Sequence, residues 1–452
     1  MFERKVLRDL QKWRNSPYRK PLVIRGSRQV GKTSAIHLFG KSFKNYLYFN
    51  LERPEDREIF RRHNEFEVMV QAMLLSRSVP RSEISDTLLF LDEIQAMPEM
   101  IGRFRYFFED LPELAVIGAG SLLETLFTGN QPYPVGRVEY KMVRPLCFSE
   151  FLLALGEKAA SEVFHTMPLP AHGESTLFRL FHLYALIGGM PEVVQRYAQT
   201  RDLMALRPVY DGLLLGYHDD VEKYGSGKSQ IEHIRFVLKS MYSLAGSRIK
   251  FEGFGNGPYK SREVGEALRL LEKAFLLQLI FPCTEARVPL APDYKKSPKL
   301  QLSDTGLMCY VNGYQQDLLG TRDLSHHFRG LVIEHLTGQE LLATDDSPRN
   351  TLHFWVRDKA GSSAEVDYLV NWKGTIVPIE IKSGPTGHLK SLLQVMEQFQ
   401  LPFAIRFYAG SLACTEEKTP GGKVFKLLHL PYFLVSKWEE YAEWAFSQSE
   451  KP

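Results

Sequence analysis

The sequence predicts an α/β fold: a parallel-sheet core, a helical middle region and an α/β tail. Three observations carry this. Five short apolar runs alternate with amphipathic stretches through the first third of the chain. A glycine- and lysine-containing loop joins the first run to a helical pattern. Beyond residue 150 the leucines and alanines recur at helical spacing, and after residue 320 strands return. The expected divisions are therefore 1–150, 151–320 and 321–452, in keeping with a length of 452 residues.

Taken in order, the strands of the first region are residues 21–25 (PLVIR), 46–50 (YLYFN), 87–91 (TLLFL), 114–118 (LAVIG) and 138–143 (VEYKMV). Such unbroken apolar runs suit a sheet covered by helices on both faces. A Gly/Pro-rich break at 128–136 and a loop at 167–174 lead into the middle region, where Val264, Leu268, Leu271 and Phe275 mark a helix face. The turn-rich segment 253–258 (GFGNGP) separates two of its helices. In the tail a helix starts near Gly330, and strands follow at 351–356, 365–372 and 375–381.

Composition removes several classes. Hydrophobic residues make up 44% and charged residues 24%, which is ordinary for a folded chain and excludes wholesale disorder. The net charge of +3 is too small to steer nucleic acid globally, so a nucleic-acid partner must meet local basic patches. The start, MFERKV, lacks an apolar signal core, and the longest apolar stretches, such as 274–281, fall well short of a membrane span. Cys147, Cys283, Cys309 and Cys414 lie far apart without metal-ligand spacing. Free thiols in a reducing cytoplasm, and no membrane association, are the expectation.

The first run ends in Gly26-Ser27-Arg28-Gln29-Val30-Gly31-Lys32-Thr33, a complete G-x-x-x-x-G-K-[ST] match between a strand and a helix. Backbone N–H groups of such a loop cradle phosphates, Lys32 reaches the terminal ones and Thr33 ligates Mg²⁺. The third run ends in Asp92-Glu93. Asp92 is placed to hold Mg²⁺ and Glu93 to polarise an attacking water, so ATP with Mg²⁺ is the expected ligand. Ser121, after the fourth run, either orients the water or caps a helix. Arg137 either neutralises transition-state charge or forms a structural ion pair. Arg103 and Arg105 are weaker candidates for an arginine donated to a neighbouring copy in a homo-oligomer.

These segments, with LLFLDEIQ (88–95), IGAGSLL (117–123), PLCFSEF (145–151), GGMPE (188–192), PKL (298–300), DTGL (304–307), and EVD (365–367) followed by EIK (380–382), resemble the prokaryotic AAA-type ATPases that carry a C-terminal domain of unknown function, DUF4143. The resemblance spans nearly the whole chain. It implies a P-loop AAA-like ATPase core, a helical region with a winged-helix-like element, and a tail similar to restriction endonucleases of the PD-(D/E)xK type. The chain departs from that pattern where Val366, not proline, precedes Asp367.

Read from chemistry alone, alternation puts Glu380 and Lys382 on one face of a tail strand. Asp367 on the neighbouring strand and Glu334 on the preceding helix supply further carboxylates. Glu334, Asp367 and Glu380 form a candidate second metal site, with Lys382 stabilising developing charge; a buried salt-bridge network is the alternative. In the middle region Arg248, Lys250, Phe251, Tyr259, Lys260 and Arg262 flank the glycine-rich turn, suiting either phosphate and base contacts with DNA or RNA or a protein-binding face. Lys295, Lys296 and Lys299 read as a small basic cluster, and His326-His327 as an exposed pair. Three functions stay open: ATP hydrolysis coupled to nucleic acid, an ATP-gated nuclease, and a nucleotide-switched scaffold for a protein partner with an inert tail.

Overall fold

The computed structural model describes the chain apart from residues 1, 3, 121–135, 226, 316–325, 346, 348–349, 359–363, 385–387 and 448–452; the side chains of 224 and 326–329 are also outside the description. Ser121, most of the 128–136 break and the side chains of His326 and His327 therefore lie outside the described residues. The chain divides into two compact units. The first is Met1–Pro145 with the short segments Lys273–Phe275 and Asp346–Arg349; the second is Leu146–Glu272, Leu276–Asp345 and Asn350–Pro452.

The first unit is built on a sheet of five parallel strands, β1 (Leu22–Arg25), β2 (Asn45–Asn50), β3 (Thr87–Asp92), β4 (Ala115–Ala119) and β5 (Glu139–Met142), in the order β2-β3-β4-β1-β5. Each expected run forms a strand, with ends displaced by a residue or two. The three inner strands are buried at every position, because helices cover both faces. The edge strands β2 and β5 are only partly buried, with solvent along one side. Leu47, Phe49, Leu89, Leu91 and Val116 pack into a single core with Met69, Val70, Met73 and Leu74 from helix Phe66–Ser76 and Met100, Ile101, Phe104 and Phe107 from helix Glu99–Asp110. Both helical sets recur near 3.6 residues, so each helix turns one apolar stripe to the sheet.

The second unit begins with helices, among them Phe148–Ala154, Glu174–Ile187, Pro191–Thr200, Arg207–Tyr224 and Lys228–Leu244. Helix Ser261–Lys273 follows, burying Val264, Leu268 and Leu271 as the spacing predicts. Next comes an antiparallel pair, β6 (Leu277–Ile280) with β8 (Lys299–Leu302), which forms a two-stranded sheet of its own. A seven-stranded mixed sheet forms the tail, joining β7 (Pro282–Cys283), β9 (His353–Val356), β10 (Glu365–Trp372), β11 (Thr375–Ile381), β12 (Phe403–Tyr408), β13 (Ala413–Lys418) and β14 (Val424–Pro431) in the order β13-β14-β12-β11-β10-β9-β7. The tail helix begins earlier than expected, at His326, and runs to Thr344. Among the described residues no helix is long and apolar enough to cross a membrane, and all four cysteines are unpaired.

Three of the sequence motifs meet in a buried polar hub of the second unit. The Asp304 carboxylate, fully buried, accepts from Gly189 N at 2.6 Å and Leu307 N at 3.0 Å, capping helix Thr305–Val311. Gly189 N and O are both engaged, O accepting from Leu146 N at 2.7 Å; a Cβ on Gly189 would lie 2.2 Å from Leu146 O, so only glycine fits. His335 Nε2 accepts from Leu302 N, which leaves Nδ1 to donate to Thr305 Oγ1, which in turn donates to Gln339 Oε1. Burial pushes the His335 pKa down to about 3, so the ring is neutral.

Glu340 Oε1 accepts from Phe148 N and Tyr184 Oη, both at 2.9 Å, and burial pushes the Glu340 pKa up to about 7. The folded chain then holds a proton that the unfolded chain releases near pH 4.5. This group favours folding most below pH 4.5 and loses its contribution, of order 3 kcal/mol, as pH rises to about 7. Glu340→Gln keeps an oxygen for both donors and removes the titration. In urea unfolding, the variant's stability relative to wild type is expected to rise between pH 4.5 and 7; a difference that stays flat with pH would contradict this.

Candidate functional site

The phosphate loop leaves β1 at its carboxyl end and opens helix Lys32–Gly40. Gly26 has φ +144°, and a Cβ there would lie 2.1 Å from Val143 O, the segment just after β5. The loop can thus close against its neighbour only with glycine at 26. Gly31, Lys32 and Thr33 form the helix start, where backbone N–H groups lack intrahelical partners and favour an anion. Lys32 is buried, and its Nζ donates to Gly26 O at 2.9 Å and Ser27 O at 2.8 Å. Burial lowers its pKa to about 8, against the opposing pull of Glu93 and Asp92.

Asp92 ends β3, buried to 4% exposure, and its Oδ2 accepts from Thr33 Oγ1 at 3.0 Å. The expected Mg²⁺ pair is thereby brought together from separate elements, at the carboxyl ends of the strands where such sheets bind ligands. Burial, then the neighbouring Glu93, raises the Asp92 pKa to about 6. A hydroxyl and a carboxylate side by side are hard oxygen donors, and they fit Mg²⁺. Glu93 adopts a left-handed backbone (φ 51°), an uncommon conformation for a non-glycine residue, directly after the strand. Its Oε2 accepts from Gln95 Nε2.

Several neighbours escaped the sequence reading. Arg4 is buried and donates to Val30 O at 3.1 Å and Arg144 O at 2.7 Å, tying the chain start to the loop and to the segment after β5. Nothing in its local sequence distinguishes it from a surface arginine. Tyr48 Oη lies 3.4 Å from Asp92 Oδ2, and Tyr46 Oη lies 2.7 Å from His37 Nδ1. The polar-tipped aromatics alternating in YLYFN were the available signal. The arginine candidates are engaged elsewhere: Arg137 with Glu109 at 3.0 Å, Arg105 with the same Glu109 at 2.9 Å, and Arg103 with Phe60 O and His63 O. For Arg137 the ion pair is what forms.

The tail set is brought together only in part. Glu334, Glu365 and Asp367 offer oxygens within 4.8 Å of one another, and Glu365 was not among the expected ligands. Glu380 instead pairs with Lys382, as the strand alternation predicts. Lys299, read from sequence as one of a surface basic cluster, is 4% exposed and sits among the carboxylates. Its Nζ is 2.7 Å from Glu334 Oε1, 2.7 Å from Glu365 Oε1 and 3.9 Å from Asp367 Oδ1. An ammonium in that position repels a divalent ion, so the residues as placed do not fit a metal. Burial and the acids Glu334 and Glu380 push the Asp367 pKa well up. Around the glycine-rich turn at 253–258, Arg262 pairs with Glu266, Tyr259 packs on His233 and Phe236, and Arg248 turns toward Glu365 at 3.6 Å. The face is thus less basic than its sequence.

An AAA domain family matches residues 18–152, and a domain of unknown function, DUF4143, matches 329–433. The chain carries an N-terminal AAA domain and a C-terminal DUF4143 domain. A second domain of unknown function, DUF8612, matches residues 178–318 of this AAA-type protein. No curated protein matches it. Among solved structures it is similar to a signal transduction ATPase with numerous domains and a tetratricopeptide repeat sensor from Pyrococcus horikoshii. That match has 15% identity and a TM-score of 0.29, covering 77% of this chain but 46% of the other. It is also similar to the Aeropyrum pernix ORC1 protein solved in complex with DNA, at 14% identity and a TM-score of 0.29, covering 72% of this chain and 95% of that one.

Proposed function

We propose that the AAA-type protein binds Mg²⁺–ATP at residues 26–33, hydrolyses it, and uses the turnover as a switch governed by nucleic acid. The observation that carries the enzymatic half is the 3.0 Å contact between Thr33 and Asp92, with Glu93 next in the chain. Thr33 and Asp92 would hold Mg²⁺, which neutralises phosphate charge when bound. Lys32, whose Nζ donates to Gly26 O and Ser27 O within the loop, stands where it can turn its charge to phosphate oxygens. The loop N–H groups orient the phosphates, and Glu93, aimed by its left-handed backbone and by Gln95, polarises the attacking water.

Lys32→Ala is expected to weaken ATP binding and to cut phosphate release by about 10²-fold or more, the usual scale for removing a charge from a phosphoryl-transfer site. Turnover equal to wild type would place the chemistry elsewhere.

The nucleic-acid half rests on exposed Lys250 and Lys260 beside helix Ser261–Lys273. DNA or RNA that raises ATP turnover supports it; turnover indifferent to both favours a nucleotide-switched scaffold for a protein partner. Lys299 among the tail acids weighs against an ATP-gated nuclease. The three-part division at 150 and 320, self-association and a cytoplasmic setting for the unpaired thiols complete the reading.

A further inference from the structure

We infer that the acidic pocket of the DUF4143 domain is completed by an internal ammonium, Lys299, where Glu334, Glu365 and Asp367 converge closely enough to hold a divalent metal. The first argument is contact. Lys299 comes from β8, outside the seven-stranded sheet, and its Nζ reaches two carboxylates at 2.7 Å and a third at 3.9 Å. These are the same three residues whose oxygens converge closely enough to hold an ion. The ammonium therefore takes up the ligand atoms that a metal needs.

The second argument is the shape of the cage. The Lys299 ammonium lies 4.8 Å from the ring centre of Phe354 and 5.7 Å from that of Tyr368. Aromatic faces suit an ammonium, whose charge they attract without ligating it, whereas Mg²⁺ retains waters that such walls cannot anchor. Tyr368 Oη also donates to Glu334 O at 3.2 Å, fixing one wall to the helix that bears the acid.

The third argument is charge balance. Around the pocket stand Glu334, Glu365, Asp367 and Glu380. Facing them are Lys299, Lys382 bonded to Glu380, Arg248 beside Glu365, and Arg406, which lies in register with Glu380 on the adjacent parallel strand β12. The bases are at least as many as the acids, and a divalent ion added to this set would bring positive charge that no remaining acid compensates. Removing Lys299 reverses the balance and leaves the converging carboxylates in need of a cation.

The test uses the full chain without nucleotide and titrates Mn²⁺ by calorimetry, with Asp367→Asn in parallel to isolate this pocket from the ATP site. Wild type is expected to show no Mn²⁺ binding that Asp367→Asn abolishes. Lys299→Met is expected to gain a Mn²⁺ site that the double variant Lys299→Met/Asp367→Asn lacks. Asp367-dependent binding by wild type overturns the inference, and so does Lys299→Met that folds yet gains no site. Should Lys299→Met fail to fold, Lys299→Arg decides together with wild type: it keeps the charge and is expected to stay silent to Mn²⁺, and an Asp367-dependent site in it overturns the inference. Because no nucleotide is present, a failure here is separable from a failure of the ATPase assignment.

Discussion

Glu93→Gln is expected to leave ATP bound while slowing hydrolysis by roughly 10²- to 10⁴-fold, the range associated with removing a positioned general base. The substitution is nearly isosteric, so the left-handed turn after β3 and the neighbouring Gln95 keep a polar partner. Asp92 and Thr33 are untouched, and the contact proposed to hold Mg²⁺ survives. Binding of a fluorescent ATP analogue and single-turnover phosphate release, measured on the same preparation, separate the two effects. Affinity falling in step with turnover would assign Glu93 to nucleotide binding instead. The contrast with Lys32→Ala is the useful one: there the charge that meets the phosphates is lost, and binding is expected to suffer as well.

Asp304→Ala is expected to destabilise the second unit by about 3–5 kcal/mol, the scale on which buried hydrogen-bond hubs fail. Its carboxylate satisfies the N–H groups of Gly189 and Leu307, and both lose their partner in the variant. The site cannot collapse to compensate, because Gly189 is already pressed against Leu146 O. Loss of the cap also frees the start of helix Thr305–Val311. Urea unfolding followed by far-UV circular dichroism reads the change, and a loss below about 1 kcal/mol would show that the hub is not a keystone. Asp304→Asn retains one acceptor and is expected to fall between the two. ATP binding at residues 26–33 serves as a control for the first unit.

These two predictions differ in how visible their residues were. Asp92 and Glu93 stand out because a buried strand of apolar residues ends abruptly in two acids next to a phosphate-loop signature. Asp304 also belongs to a recognisable motif, DTGL, yet nothing local explains it; the reason is that its carboxylate caps one helix and captures the backbone of a glycine 115 positions away. Motif residues of this kind hold the fold through hydrogen bonds to distant backbone.

The five core strands and the loop between β1 and its helix were determined by the sequence alone, because unbroken apolar runs and a glycine-bearing turn are local properties. Glu380 beside Lys382 was equally legible, since a two-residue step on a strand returns to the same face. Arg4 on the phosphate loop, Glu365 in the tail pocket and Lys299 at its centre were decided only by tertiary structure. For Lys299 the local sequence pointed the wrong way: with Lys295 and Lys296 it reads as a small basic cluster, and only β8 pairing and the approach of three acids from two other elements make it a buried counter-ion. Hydrophobic period and turn chemistry act over a few residues, whereas the electrostatic environment of a side chain is set by whatever the fold brings within a few ångströms. That is why the proposed nucleotide site is legible along the chain, and the meaning of the tail's carboxylates is not.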